Sequence, residues 1–347
     1  MCGCARASRK EMRDGTILIN FDIDLSRSAR IRWLKFEGTR GVDSSELKKG
    51  MINREQSLTR PGAYFSEEVS RDDESIETAM RRQGFLDARV GEWLVEPTPQ
   101  GYALDVVIPV EEGPRTIVDR IEFAGDTVFG DSKLHKALKM KAGRPFDEPG
   151  LEDDRQRLLT FYADHGYPYA EVGQGWEPCG RSGACLRYDV EAGQKVTIGH
   201  ILIIGDVLTS QKAIKHAMSI REGDPFSYRK LIESQQGIRR LGAFAAVNIE
   251  TIGLEEKEKV VHLRVKVEEQ RPFQVDLGLS YSTEDALTAS FSFTNLNAFG
   301  WAKQNSVRLI GGQKLSRMEI GWFDPRFLSS SFEMSTIAWV QYQKQPS

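Results

Sequence analysis

The sequence predicts an α+β protein: tandem β-α-α-β-β units that run into the first strands of an antiparallel transmembrane β-barrel. Three observations predict it. A glycine-cornered pattern recurs three times at a spacing near 80 residues. Each copy carries helical apolar spacing between strand-like runs. At Phe273 the period switches abruptly to alternation, which continues less cleanly through Phe332, Met334, Ala338, Val340 and Tyr342.

The three copies are aligned by their corners. "AMRRQGFLDARV", "FYADHGYPYAEV" and "GIRRLGAFAAV" turn at Gly84, Gly166 and Gly242, 82 and 76 residues apart. Each unit opens on an apolar strand that runs into a glycine, at Gly38, Gly125 and Gly205. Between strand and corner come "RPGAYF", "KAGRPF" and "REGDPF", each with a Gly three residues before a Phe. Each unit closes on an alternating strand before an acidic residue, in "LDVVIPVEEG", "LRYDVEAG" and "VHLRVKVEEQ". Repeats of this length read as a chain of small domains rather than a solenoid.

Within the second unit, residues 116–124 read as a strand. "DSKLHKALKM" reads as a short helix with Asp131 or Ser132 as N-cap. In "LEDDRQRLLTFYADH", Leu151, Leu158, Leu159 and Tyr162 fall near one helical face. Gly166 then takes the left-handed position after the helix, where glycine alone is unstrained. Tyr167–Glu177 and Leu186–Glu191 read as a hairpin. Two helices on one face of a three-stranded sheet bury a sufficient core for about 80 residues. Tyr167 and Ala170 are expected to pack helix against sheet. His165 is replaced by Gln83 and Leu241 in the sister units, so the corner repeats a shape and not a chemistry.

From Phe273 the material changes. Phe273, Val275, Leu277, Leu279 and Tyr281 alternate with Gln, Asp, Gly and Ser. Leu287, Ala289, Phe291 and Phe293 do the same, and Met318, Ile320 and Trp322 follow. Alternating segments of about 10 residues with short turns mark membrane β-strands. The polar positions are mostly Ser, Thr, Gly and Asn, which suits a lumen better than a solvent face. Trp301, Trp322, Trp339 and Tyr342 are placed at the membrane interfaces. Four or five strands cannot close a barrel, since small ones need about eight. The chain therefore reads as a piece of a longer protein.

Composition excludes several classes. A net charge of −3 leaves no footprint for nucleic acid. No run of 18 apolar residues exists, which excludes a membrane helix but not membrane strands. "GDTVFGDSK" puts Asp131 where a phosphate-binding loop needs lysine. There is no G-x-S-x-G and no HExxH, and the five histidines are scattered. The acidic runs at 72–74 and 152–154 read as complements to helix dipoles. The start, "MCGCARASRKEMRDG", has no apolar stretch and is no signal peptide as written; Cys2 stands where a lipidated cysteine could. Cys179 and Cys185 flank a Gly/Ser turn. A hairpin-bridging disulfide in an oxidising compartment is one reading and a pair of free thiols another; a metal would need two further ligands that the nearby stretch lacks.

Together the glycine corners and "LGLSYSTEDALTASFSFTNLNAFGWAKQNSVRLIGG" resemble the outer-membrane assembly factor family of BamA and TamA. The repeats resemble POTRA domains, and the last segment resembles the start of that family's barrel. "INFDIDLSRSA", residues 19–29, resembles the last strand of a further repeat. The resemblance implies a division into 1–28 (tail and truncated repeat), 29–115, 116–195 and 196–272 (three repeats) and 273–347 (incomplete barrel). The family's 16-stranded barrel carries an RGF-type loop motif that is not in this sequence.

The implied activity is non-enzymatic and needs no cofactor. Periplasmic repeats would offer sheet edges to which unfolded outer-membrane clients, or periplasmic and lipoprotein accessory subunits, add a strand. The edges implied lie at Val90 and Leu94, at Ala170 and Val172, and at Val247 and Ile249. The first barrel strand, through Val275, Leu277 and Leu279, would form one side of the seam that client strands enter, in contact with the bilayer. The alternatives are a transporter of the two-partner-secretion type and a fragment of a fused patatin-type esterase. The location implied is the outer membrane, with repeats in the periplasm.

Overall fold

The computed structural model describes residues 4–11, 17–24, 29–57, 61–99, 103–283, 285–327 and 332–343. Cys2 lies outside them. The chain divides into two compact units, Met1–Leu158 with Val172–Val190, and Leu159–Glu171 with Glu191–Ser347.

The first unit begins with β1 (Cys4–Glu11) and β2 (Ile17–Asp24), an antiparallel pair. The first repeat follows as β3 (Arg30–Glu37), α1 (Ser44–Leu47), α2 (Val69–Arg81), β4 (Arg89–Val90), β5 (Leu94–Pro97) and β6 (Ala103–Glu111). β6 is central: β3 runs parallel to it on one side, while β4 and β5 pair antiparallel to it on the other. A parallel pair needs a crossover, and the two helices supply it. They cover Ile31, Leu34, Val106, Ile108 and Val110 with Leu47, Ile76 and Met80. The second strand, read from sequence as one piece, is broken between β4 and β5. There Trp93 is buried, and its indole Nε1 donates to Asp73 at 2.7 Å.

The second repeat has β7 (Ile117–Asp126), α3 (Asp131–Ala137), α4 (Gly150–Asp164), β8 (Glu171–Cys179) and β9 (Gly183–Glu191), with sheet order β7-β9-β8. Gly130, not Asp131 or Ser132, is the N-cap of α3; Asp131 is its first helical residue. On α4, Leu151, Leu158 and Tyr162 are buried while Leu159 is half-buried. The remaining position of that stripe is Asp154, also fully buried. Tyr167 and Ala170, expected to pack, are only half-buried. Tyr162 is the buried aromatic.

The second unit carries the third repeat: β10 (Thr197–Ile204), α5 (Gln211–Ala217), α6 (Tyr228–Arg240), β11 (Phe244–Ile252) and β12 (Val260–Glu269). β12 is central, parallel to β10 and antiparallel to β11. Its core joins Ile201, Ile203, Val265 and Leu263 to Ile214, Phe226 and Ile238.

Next come β13 (Phe273–Ser282), β14 (Ala286–Ala298), β15 (Lys303–Gly312), β16 (Leu315–Asp324) and β17 (Met334–Gln343), an antiparallel meander in sequence order. Register sorts its faces, because partners directly opposite share one. One row reads Leu277, Phe291, Leu309, Met318, Val340, and the next Val275, Phe293, Val307, Ile320, Ala338. These side chains are largely exposed, Leu277 at 81% and Val340 at 78%, as a lipid-facing surface requires. The other face reads Asp276, Ser292, Arg308, Glu319, Trp339. Trp339 thus points away from Trp322 and Tyr342, and the guanidinium of Arg317 lies 4.8 Å from its ring centre. Grouping it with those two as an interface anchor was incorrect; it belongs to the polar face.

Candidate functional site

The recurring motifs turn out to build one arrangement three times. The glycine ending each first strand sits at positive φ: +93° at Gly38, +86° at Gly125 and +95° at Gly205. A Cβ there would press into the carbonyl oxygen of Val110, Val190 or Val267 on the central strand. The position therefore demands glycine twice, for its dihedral and for the close approach.

The Gly-to-Phe loop pairs with the outer side of the first strand. In the second repeat, the Val118 amide donates to Arg144 O (2.8 Å) and the Gly143 amide to Val118 O (2.7 Å). In the third, the Ile198 amide donates to Asp224 O (2.8 Å) and the Gly223 amide to Ile198 O (2.7 Å). The first repeat does the same through the Ile31 amide to Gly62 O, 2.7 Å. In the first and third repeats a glutamate extends the cover, Glu55 accepting from the Leu34 amide (2.7 Å) and Glu222 from the Ile201 amide (3.0 Å). The first-strand edge is thus occupied by the repeat's own loop, and the second strand forms the opposite edge.

Those second-strand edges carry the residues singled out from sequence. Val90 is half-buried in β4, and its amide donates to Glu77 of α2 at 3.4 Å; Leu94, in β5, is 55% exposed. Val172, in β8, and Val247, in β11, point their side chains into the cores. Ala170 requires correction: it precedes β8, and its amide turns back to Tyr167 O at 3.3 Å, so it lies in a turn and not on an extended edge. In β11, the Val247 carbonyl accepts from Gln235 Nε2 (2.7 Å) and an Arg239 guanidinium nitrogen (3.4 Å), both on α6. Val247 and, by alternation, Ile249 therefore direct their main-chain groups away from β12. Val275, Leu277 and Leu279 lie in β13, the terminal strand of the membrane sheet.

The corner glycines do more than end helices. Gly84, Gly166 and Gly242 have φ of +89°, +97° and +70°. The Gly84 carbonyl accepts from the Thr116 amide at 2.7 Å, and the Gly166 carbonyl from the Val196 amide at 2.7 Å. Gly242 O accepts from the Gln270 side-chain amide. Each corner is thus bonded to the segment that leads onward from its repeat. Beside the second corner, Asp164 accepts from Ser227 Oγ (2.9 Å), the Arg229 amide (3.0 Å) and the Arg229 guanidinium (2.9 and 3.0 Å). Burial alone would raise the Asp164 carboxyl, but these four donors hold it below the usual carboxylate range. His165 is exposed, with Nδ1 2.6 Å from Phe161 O and its ring against the Phe161 ring.

Several roles were missed from sequence. Asp72 accepts from the Ile52 (2.6 Å) and Asn53 (2.9 Å) amides, and Asp154 from those of Lys139 (2.7 Å) and Met140 (2.9 Å). Ser234 does the same for Ser219 (2.9 Å) and Ile220 (3.2 Å). The signal was available: Asp154 falls in register with Leu151 and Leu158 on the apolar stripe. The acids closing the first and third repeats also act structurally. Glu112 accepts from the Arg40 (2.6 Å) and Gly41 (2.8 Å) amides, and Glu269 from those of Leu208 (2.8 Å) and Thr209 (2.6 Å).

The third repeat is bonded to the turns of the membrane sheet. Asn297 Nδ2 donates to Thr209 Oγ1 (2.9 Å), and the Ser210 amide to Gly300 O (2.9 Å). The Arg326 guanidinium donates to Ala217 O (2.6 Å), so α5 is held at both ends. Cys179 and Cys185 are disulfide-bonded across the β8–β9 turn, Cα atoms 5.8 Å apart. The Asp119 carboxylate lies 4.0 Å from the Cys185 sulfur.

The POTRA family model, described as "Surface antigen variable number repeat", matches residues 29–113, 116–178 and 196–270, more than half of the chain. The chain belongs to this family. Among curated relatives, the outer membrane protein assembly factor BamA of Nitratidesulfovibrio vulgaris is 27% identical over 96% of this chain and 43% of its own length. BamA of Neisseria meningitidis serogroup B is 22% identical over 91% and 40%. The chain thus spans about two fifths of the length of these relatives. A crystal structure of BamA from Haemophilus ducreyi lacking POTRA domains 1–3 matches with a TM-score of 0.54 at 17% identity, covering 65% of this chain and 43% of that one. It shares the POTRA-to-barrel fold. Both of these curated relatives are outer membrane protein assembly factors. This chain is likewise an outer-membrane protein whose repeats face the periplasm.

Proposed function

We propose that this chain is the POTRA and leading-barrel portion of an outer-membrane protein assembly factor. Its repeats capture unfolded outer-membrane clients, or partner subunits, by strand addition and pass them to the free side of β13. The observation that carries this reading is the asymmetry of the repeat sheets. The first-strand edge is filled by the repeat's own loop, so an incoming strand has the second-strand edge to pair with. Pairing through main-chain groups gives affinity without a fixed client sequence. The similarity to curated assembly factors favours this over transport of one dedicated client.

The test uses the full chain with a photo-crosslinking side chain at Asn248 and a urea-unfolded outer-membrane barrel polypeptide as client. Crosslinks should form on dilution, and Ile249→Pro should abolish them. That substitution removes an amide that faces away from β12 and spares the internal ladder. Crosslinking that survives Ile249→Pro, with the repeat still folded, would refute strand addition at β11.

A further inference from the structure

We propose that the cleft between α5 and the turn after β16 binds a phosphate-bearing anion, of the kind carried by phospholipid headgroups. The cleft has a volume of about 320 Å³ and is lined by His216, Leu241, Trp301, Lys303, Arg326 and Phe327.

Its charges are unbalanced. Asp324, 6% exposed, is its one carboxylate, and both oxygens are engaged, with Lys303 Nζ (2.9 Å) and the Arg326 amide (3.0 Å). Arg326 spends one nitrogen on Ala217 O, but its Nε is buried and, among the described residues, has no partner. Arg240 lies close enough for its charge to bear on Arg326, and it has no ion pair among the described residues. Burial and the Arg240 charge both push the Arg326 guanidinium down from its ordinary value. A buried, unpartnered donor on a guanidinium that lines the cleft, with the charge of Arg240 adding to it, is the condition that an oxyanion relieves through charge-assisted hydrogen bonds.

The surroundings indicate which oxyanion. The cleft sits at the end of the membrane sheet that is bonded to the third repeat, beside the turn carrying Trp301 (46% exposed) and Phe299 (85% exposed). Exposed aromatics at a strand end mark headgroup level. Leu241 and Phe327 give the cleft an apolar wall that a lipid's glycerol region can use and a free phosphate ion cannot. The shared chemistry is a phosphate oxyanion; lipid and free ion are its two sources.

The full chain in detergent is titrated by native mass spectrometry with phosphatidylglycerol, phosphatidylcholine and inorganic phosphate. Phosphatidylglycerol should be retained in preference to phosphatidylcholine. Arg326→Gln should weaken its retention about tenfold. Arg240→Gln, which leaves the Ala217 bond intact, should weaken it about fivefold. Arg264→Gln, on the far face of the third repeat's sheet, should leave it unchanged. Retention that survives excess inorganic phosphate assigns the site to the headgroup, and displacement by phosphate assigns it to the free ion. Equal retention by Arg326→Gln, Arg240→Gln and the unsubstituted chain, equal retention of the two lipids, or no binding of either anion would overturn the proposal.

Discussion

Replacing Asp154 by alanine should loosen the α3–α4 loop far more than replacing it by serine. The Asp154 carboxylate is fully buried and takes two main-chain amides, Lys139 at 2.7 Å and Met140 at 2.9 Å. Alanine removes both acceptors at once. An orphaned buried donor costs about 1–3 kcal/mol. Lys139 is exposed and can turn to water, whereas Met140 is buried, so the loss should total about 3 kcal/mol. That corresponds to roughly a hundredfold rise in local opening. Serine is the informative control, because Ser234 accepts from both equivalent amides of the third repeat with one hydroxyl. Asp154→Ser should therefore retain most protection, at a cost of about 1 kcal/mol. Hydrogen exchange of the 139–146 amides in the full chain, read by mass spectrometry, separates the two variants. Unchanged exchange in Asp154→Ala, or equal losses in both variants, would refute the assignment of Asp154 as the loop tie.

Three further outcomes follow from the geometry. Gly205→Ala should destabilise the third repeat by about 2–3 kcal/mol, since it adds a clash with Val267 O to the strain of a positive φ, whereas Gly223→Ala, in open space, should cost about 1 kcal/mol; thermal denaturation compares them. The double variant Cys179→Ser, Cys185→Ser should lose about 2 kcal/mol from release of the short loop, and in the unsubstituted protein neither thiol should label before reduction. Hydrogen bonds from Arg155 and then Gln156 pull the exposed Glu152 carboxyl down to about 2. A depressed folded value means that its contribution is complete above the ordinary range near 4.5 and fades as pH falls towards 2. Carboxyl NMR should show Glu152 still ionised at pH 3, and a normal titration would contradict the Arg155 pairing.

Much of the fold was legible because the repeat displays its constraints three times. Gly38, Gly125 and Gly205 appear in the sequence only as recurring letters, yet they mark a place where a side chain on the first strand would strike the backbone of the central strand. The membrane strands were legible because alternation has a single physical reading once the polar partners are Ser, Thr and Gly. What stayed hidden depends on direction and not on composition. Asp154 looked like a helix-dipole complement beside Glu152 and Asp153; its register with Leu151 and Leu158 points it inward, but which amides it meets depends on how the loop folds over the helix. Trp339 looked like an interface aromatic, but the β16–β17 register puts it on the polar face with Arg317. Ala170 looked like strand because the chain was read as extended straight after Gly166, although Pro168 stands at the second position of the turn that closes on Tyr167, where proline is favoured. The engagement of the Val247 carbonyl by Gln235 and Arg239 joins residues on two elements, and pattern along one chain does not encode such a pairing.

The bond from each corner glycine to the onward segment has a consequence for how such a protein ages. At Gly84 and Gly166 the fastening is made by a carbonyl on one side and an amide on the other, both supplied by the backbone. Almost any substitution nearby leaves those two atoms in place. The side chains around a corner can drift, as His165, Gln83 and Leu241 already do between neighbours in one chain, while the joint keeps its form. A lineage could exchange nearly every surface residue of its periplasmic arm and inherit the arm's articulation unaltered.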